Sequence, residues 1–359
     1  MLFNSYISVI LSFLTAFSIV FTAIPTIVFV ADAKKLYDEP GVRKSHKKSI
    51  ATLGGISLFA GVVIGFGMFT RFAIHPEFQY VVIASVVLFF VGLKDDILII
   101  APLKKLSGQI FAVLIIVVLG NLRFTNLHEF LGVHQLLYVH SFLLTTFVLI
   151  VIINGFNLID GIDGLSSGVG IISSLLFGIF FYINGEIGYA VLAAAMAGGL
   201  IAFFWFNVFG IENKIFMGDT GSLLVGLFLS VMVVRFNEMN IVATGKWFIQ
   251  AAPAVSFGVL FIPLFDTLRV FTIRILRGKS PFKADKNHVH HRLLALGYSH
   301  IKATMILLSA NIVVIIIVLV FNFLGIVFLM AILLILGTFF SVLPEWVYKK
   351  RAKSKMLKK

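Results

Sequence analysis

Three blocks of this 359-residue chain set acids against apolar sequence: Lys94-Asp95-Asp96, Asn154-GFNLIDGIDG-Leu165 and Phe216-MGDTG-Ser222. They supply Asp95, Asp96, Asp160, Asp163 and Asp219, while Asp266, Asp285 and Glu212 fall in what should be adjoining loops. Ionisable groups beside membrane-type segments are costly, and they persist where they bind ions or move protons. Asp95 and Asp96 repel each other, so a cation, a proton or a metal is expected beside them. The plainer alternative pairs them with Lys94, Lys104 or Lys105 at a helix end.

In the second block Asn154, Asn157, Asp160 and Asp163 recur every three positions. On an α-helix each step of three turns back about 60°, so neighbours such as Asn157 and Asp160 share a face but all four cannot. Gly161 and Gly164 let the helix end or loosen there, so that backbone and Asp163 can approach a ligand. An Asn- and Asp-rich turn that merely closes the helix is the competing reading. It does not explain two amides inside an apolar run. The third block reads as a loop delivering Asp219 to the start of a helix, with Thr220 and Ser222 as available caps. A glycine-bearing helix start also accommodates phosphate oxygens, and Asp219 beside it could hold a magnesium ion that those oxygens share.

The segment from Asp266 to Lys302 is basic and carries His288, His290, His291 and Arg292. The histidines lack the i, i+4 spacing of a helical zinc pair. The chain has no cysteine, which excludes disulfides, thiolate catalysis, zinc thiolate sites and iron-sulfur clusters. Histidine and arginine among lysines suit a diphosphate, although a basic loop can also serve only as a topology anchor. Acids for magnesium and cations for phosphate together suggest phosphoryl transfer on a lipid, chemistry in which positioning and charge neutralisation do most of the work.

These groups must be held by helices in a bilayer. Hydrophobic residues make up 60% of the chain and charged ones 13%, which implies an all-α polytopic integral membrane protein. At about 20 apolar residues per span, eleven transmembrane helices are expected, centred near residues 18, 61, 85, 113, 148, 173, 197, 228, 260, 313 and 333. Ten is the acceptable alternative, because only Phe321-NFLG-Ile326 separates the last two. The run Ser5 to Ala31 exceeds the roughly 7 to 15 apolar residues of a signal-peptide core and follows no basic segment, so it is expected to stay as the first span. Alternating the loops puts 25 Lys and Arg residues on one side and only Arg71, Arg123, Arg235 and Lys246 on the other. The positive-inside rule then places the N-terminus outside and the C-terminus in the cytoplasm, with every acidic block on the cytoplasmic side. Residues 1–359 form a single membrane-embedded domain, and 349–359 a basic cytoplasmic tail facing anionic lipid. The net charge of +13 is scattered over short loops, which gives no footprint for nucleic acid. A cation-coupled transporter would need acids near mid-span, where this chain has none.

The blocks Lys94-Asp95-Asp96, Asn157-LIDGIDG-Leu165, Phe216-MGDTG-Ser222 and Asn287-HVHHR-Leu293, in this order, resemble the motifs of the polyprenyl-phosphate N-acetylhexosamine-1-phosphate transferases of glycosyltransferase family 4. The resemblance implies transfer of a sugar 1-phosphate from a UDP-sugar to undecaprenyl phosphate, with magnesium (manganese substituting) and release of UMP. It implies a multi-pass bacterial plasma membrane protein whose active site faces the cytoplasm, with membrane lipids as further partners and a homodimer as an open option. The His288-VHHR-Leu293 block resembles the branch that uses UDP-N-acetylglucosamine to start O-antigen, enterobacterial common antigen or teichoic acid. UDP-N-acetylmuramoyl-pentapeptide is the alternative donor. In the first loop Arg43-Lys44-Ser45-His46 fits the family, whereas Ala51-Thr52-Leu53 replaces its usual Pro-Thr before Gly54-Gly55. By matching position, Asp219 would bind magnesium together with Asp96. Lys47, Asp163 and Phe216 would hold the uridine, and Asn157 and Asp160 would line the nucleotide and phosphate site. Asp95 and Asp96 would handle the lipid phosphate, with Asp95 as base. His288, His290, His291 and Arg292 would contact the diphosphate or the sugar.

Overall fold

In lipid each backbone N–H and C=O must be satisfied within the protein, so the apolar runs fold as helices. A computed structural model describes residues 4–38, 50–98, 100–242, 247–276, 278 and 288–356. The helices are α1 (Ser5–Lys34), α2 (Gly54–Phe69), α3 (Glu77–Leu98), α4 (Pro102–Leu114), α5 (Tyr138–Ile159), α6 (Leu165–Ile183), α7 (Ile187–Phe204), α8 (Gly218–Met239), α9 (Ala252–Val259), α10 (Phe261–Leu276), α11 (Val289–Ala295), α12 (His300–Val320) and α13 (Ile326–Met356). Two π turns prolong α4 and α7, at Ile115–Leu119 and Trp205–Phe209. The extended elements are the two-residue strands β1 (Tyr37–Asp38) and β2 (Ile50–Ala51), paired antiparallel.

The protein is a multi-pass helical membrane protein: among the described residues, eight helices are long and apolar enough to cross a bilayer. They match the expected spans near 18, 113, 148, 173, 197, 228, 313 and 333. The span near 61 is α2, which has only 16 residues. The one near 85 is the 22-residue α3, whose last two turns carry Lys94, Asp95 and Asp96. The one near 260 is not a single rod, because α9 and α10 meet at 89°.

That break frees backbone groups at membrane depth, and α12 takes them up. Asn311 donates from Nδ2 to the Val259 carbonyl (3.1 Å) and accepts from the Ile262 N–H (3.2 Å). Unwound backbone is tolerated in lipid only where protein surrounds it in this way. The bend turns α10 so that Asp266 lies beneath His288.

Helix α8 forms the centre, buried almost end to end, with α3 and α5 packed along it and the α1–α7–α6 layer beyond. Far from the acidic blocks, the other ends of α3, α7 and α8 are tied by polar contacts. Arg235 pairs with Glu186, and the Tyr189 hydroxyl donates to Glu77 (3.0 Å), which also contacts His75 (3.2 Å).

Candidate functional site

The acidic blocks meet at the first turn of α8. A helix start leaves backbone N–H groups without partners, and Thr220 and Ser222 were the expected caps. Neither supplies the cap. Thr220 lies inside the first turn and Ser222 just beyond it, where its hydroxyl donates back to the Gly218 carbonyl at 3.0 Å. The cap comes from another helix: Asp96 of α3 accepts from the N–H of Asp219 (2.7 Å), the N–H of Thr220 (3.0 Å) and the Thr220 hydroxyl (2.6 Å). Gly218 makes room for it. Its φ is 70°, and a Cβ there would lie 2.7 Å from both Asp96 carboxylate oxygens.

The cap directs Asp219 into the space between α4 and α5. Lys105 of α4 donates to Asp219 Oδ2 (2.5 Å), to Asn157 Oδ1 (3.2 Å) and to Asp95 Oδ2 (3.1 Å), and Asn157 Nδ2 reaches Asp219 Oδ1 at 2.5 Å. Asp95 is held in turn by the N–H of Ile100 (2.7 Å). One ammonium group thus sits among two carboxylates and an amide, in a place where a different cation could also sit. The period of three is used as helical geometry requires. Asn157 faces α8, whereas Asn154, turned back by about 60°, exchanges hydrogen bonds with Gln109 of α4 (2.7 and 3.3 Å).

Beyond Ile159 the chain turns through Asp160 to Gly164. Burial first, then the neighbouring charges of Asp219, Asp96 and Asp163, hold the Asp160 carboxyl well above the usual range. Asp163 is buried, pairs with Lys214 (2.6 Å), and its carbonyl accepts from the Thr304 hydroxyl at 2.6 Å. Over this turn lie the histidines. His288 is fixed through Nδ1 to Asp266 (2.9 Å), which Arg269 also engages (2.9 Å) and which accepts from the N–H of Val289 (3.2 Å). His290 stacks on His288, with ring centres 5.6 Å apart, and its ring centre lies 4.3 Å from that of His291. A Cβ at Gly161 would lie 2.9 Å from His290 Nε2, so glycine there lets the ring rest on the turn.

His290 is 2% exposed, and neither ring nitrogen has a hydrogen-bond partner among the described residues. Burial, then the nearby His291, pushes its pKa down to about 3, against about 6.5 in an unfolded chain. The folded protein therefore keeps His290 neutral where the unfolded chain would protonate it. This stability is complete above about pH 6.5 and is lost as pH falls toward 3, amounting to about 2 kcal/mol at pH 5. The thermal midpoint of the purified protein should fall between pH 7 and pH 5, and that of His290→Gln should fall less, by the few degrees that about 2 kcal/mol corresponds to. Parallel curves would show that His290 does not titrate this way.

The structure gathers Asp95, Asp96, Asn157 and Asp219 into one cluster and sets Asp160, Asp163, His288, His290 and His291 around the adjoining turn. Phe216 lies in the backbone ladder beside β2, where its N–H donates to the Ala51 carbonyl at 2.8 Å. Arg292 reaches the Ser341 carbonyl of α13 (3.3 Å). Lys47 and Asp285 lie outside the described residues, and Glu212 is exposed in the loop before α8. In the sequence Lys105 reads as a topology charge or a partner for the dyad, and its position four residues before Gln109 is the signal that marks an inward face. Asp266, expected in a loop, lies within α10, where it anchors the histidine segment.

Comparison with known proteins gives a consistent picture. Residues 78–237 match the model of Glycosyl transferase family 4. The chain is 31% identical over 316 residues (82% of this chain, 79% of the other) to the decaprenyl-phosphate N-acetylglucosaminephosphotransferase of Mycobacterium leprae (strain TN). It is 28% identical over 321 residues (89% and 81%) to the undecaprenyl-phosphate alpha-N-acetylglucosaminyl 1-phosphate transferase of Escherichia coli O157:H7. The protein of the same name from Yersinia pestis is 29% identical over 315 residues (87% and 80%).

Proposed function

The chain belongs to glycosyl transferase family 4, and on that premise we propose that it transfers N-acetylglucosamine 1-phosphate from UDP-N-acetylglucosamine to undecaprenyl phosphate, releasing UMP. The observation that carries the reading is the meeting of Asp95, Lys105, Asn157 and Asp219 at one end of the bundle, beside a buried histidine group. Two anions must approach each other in this reaction, and a site of mixed acids and cations can screen them.

The donor set suits magnesium, with manganese as its substitute. Carboxylate and amide oxygens are hard ligands, and magnesium commonly takes one or two carboxylates plus phosphate oxygens and water. Asp219 would be the principal ligand, and the ion would supply neutralisation of diphosphate charge. Asp96 serves the site through its cap on α8, which leaves Asp95 and Asp219 for the reacting groups. Lys105 would move from Asp219 to a phosphate oxygen. His288, held in one orientation by Asp266, and His290, neutral and unpartnered among the described residues, would line the diphosphate. Asp163 and Phe216 would position the uridine.

In the direct route a lipid phosphate oxygen bonds to the β-phosphorus as the bond from that phosphorus to the bridging oxygen breaks, and UMP leaves with the electron pair. Asp95 would take any proton on the attacking phosphate. A covalent aspartyl-phosphate is the competing route, and an isolable phospho-enzyme in single turnover would replace the direct one.

Parity supports the orientation. The C-terminal ends of α3 and α5 and the N-terminal ends of α2, α4, α6, α8 and α12 border this one cluster. If α2, α3 and the α9–α10 pair are counted as passes, the total is eleven, with the N-terminus opposite the site and the C-terminus beside it. The excess of Lys and Arg that the sequence puts on the site's side supports a cytoplasmic site at a bacterial plasma membrane. The deciding experiment incubates purified protein with undecaprenyl phosphate, magnesium and a panel of UDP-sugars that includes UDP-N-acetylmuramoyl-pentapeptide. UMP release is expected with UDP-N-acetylglucosamine. Release with the pentapeptide donor alone would reassign the branch, and release with none would overturn the reading.

A further inference from the structure

Asn207 stands within an aromatic run, Phe203-FWFNV-Phe209, and in the π turn that ends α7. It is 5% exposed, and both ends of its amide are used. Oδ1 accepts from the Gly164 N–H at 2.7 Å, and Nδ2 donates to the Ile215 carbonyl at 2.9 Å. Gly164, with φ of 77°, closes the turn that carries Asp160 and Asp163. Ile215 immediately precedes the Phe216–Asp219 loop. The side chain therefore acts as one rung of backbone between two loops that, among the described residues, share no backbone hydrogen bond of their own. A π turn admits one extra residue per helical turn and recurs at functional sites; here it aims the amide into the gap.

The other side of the Phe216–Asp219 loop is also held. Phe216 exchanges backbone hydrogen bonds with Ala51 and Gly54, at 2.8 and 3.0 Å. Asn207 thus ties the start of this loop to the turn that carries Asp163. A second tie between the same segments, Lys214 to Asp163, is ionic and lies at the rim, where Lys214 is a quarter exposed. Removal of the Asn207 amide would leave a buried N–H and a buried C=O without partners. Their relief is for the two loops to part.

We propose that Asn207 is the positioning residue that sets the spacing between the Asp160–Gly164 turn and the Phe216–Asp219 loop, and through it the affinity for the UDP-sugar that must span both. The inference rests on the functional reading above. On that reading the lipid phosphate would meet Asp95 of α3, which neither loop carries and which the Ile100 N–H also holds, so the larger effect falls on the donor.

The test uses full-length Asn207→Leu and Asn207→Asp proteins. UDP-N-acetylglucosamine binding is measured by calorimetry with magnesium, and KM is measured separately for donor and for undecaprenyl phosphate. Asn207→Leu should weaken donor binding and raise donor KM by about tenfold to a hundredfold, with lipid KM within about twofold of the wild type. Asn207→Asp keeps the acceptor for Gly164 but turns a carboxylate on the Ile215 carbonyl. Its donor affinity should be low at pH 8 and recover at pH 5.5, where a protonated carboxyl can donate as the amide did, relative to the wild type over the same range. Should the Leu protein fail to fold, the pH-dependent recovery of the Asp protein decides. Wild-type donor affinity in either variant at pH 8, or equal loss for donor and lipid, overturns the proposal. A wild-type protein that binds no UDP-sugar overturns the functional reading itself, an outcome seen before any variant is compared.

Discussion

Asp219→Asn should lower UMP release by about a thousandfold or more while leaving the helical fold in place. Asp219 accepts from Lys105 at one oxygen and from Asn157 at the other. An amide at 219 can accept at only one of these and turns an NH2 toward a donor at the other. The charge that holds the Lys105 ammonium against α8 is lost, and so is the principal oxygen donor for the metal. Preorganised charges of this kind are each worth about a hundredfold to a thousandfold in rate, and here one substitution removes both an anion and the order of its neighbours. The cap on α8 survives, because Asp96 holds the backbone N–H of residue 219 and not its side chain. Circular dichroism and thermal midpoint should therefore stay near the wild type. The measurement is initial-rate UMP release at saturating magnesium and both substrates. Retention of more than about a tenth of the wild-type rate would remove Asp219 from the metal and phosphate roles, given the size expected of such a group.

Much of this site is legible in the sequence because membrane spans make acids conspicuous. The three-residue period of Asn154, Asn157, Asp160 and Asp163 already implied that the set divides between faces, and the structure assigns them to α4, α8 and the turn. What stays hidden depends on what lies across the bundle. Asp96 looks like a twin of Asp95, but one residue along a helix is a rotation of about 100°, which is enough to send it to the start of α8 while Asp95 meets Lys105. Lys105 disappears among topology charges because a Lys near a helix start normally serves the interface. Asn207 is a single polar residue in an aromatic run, and only the π turn explains its inward aim. The break between α9 and α10 is invisible for a related reason. Its compensation, Asn311, lies 49 residues from Ile262, so the local sequence reads as one apolar span.

The second large effect is expected at a residue with no side chain. Gly92 lies one helical turn before Asp96 on α3 and faces the same first turn of α8, where a Cβ would come within 2.6 Å of the Thr220 nitrogen. From the opposite side Gly55 of α2 would place its Cβ 2.6 Å from that of Thr220. The start of α8 is thus wedged backbone to backbone between two glycines, the close approach that small residues allow between membrane helices. By propensity alone Gly92→Ala should strengthen α3 by about 1 kcal/mol. We expect the reverse. The obstacle is backbone and cannot rotate aside, so α3 must shift or tilt, and such overpacking costs about 1 to 3 kcal/mol. The same shift moves Asp96 off the N–H groups it caps and carries Asp95 away from Lys105. Misplacement of reacting groups by about 1 Å can cost a hundredfold in rate. Gly92→Ala should therefore lose about a hundredfold in UMP release together with several degrees of thermal midpoint. Gly67→Ala, where the added methyl meets nothing within 4 Å, should lose neither. A Gly92→Ala protein as active as Gly67→Ala would mean that α3 and α8 can separate without disturbing the carboxylates, and the cap by Asp96 would then be incidental to the site.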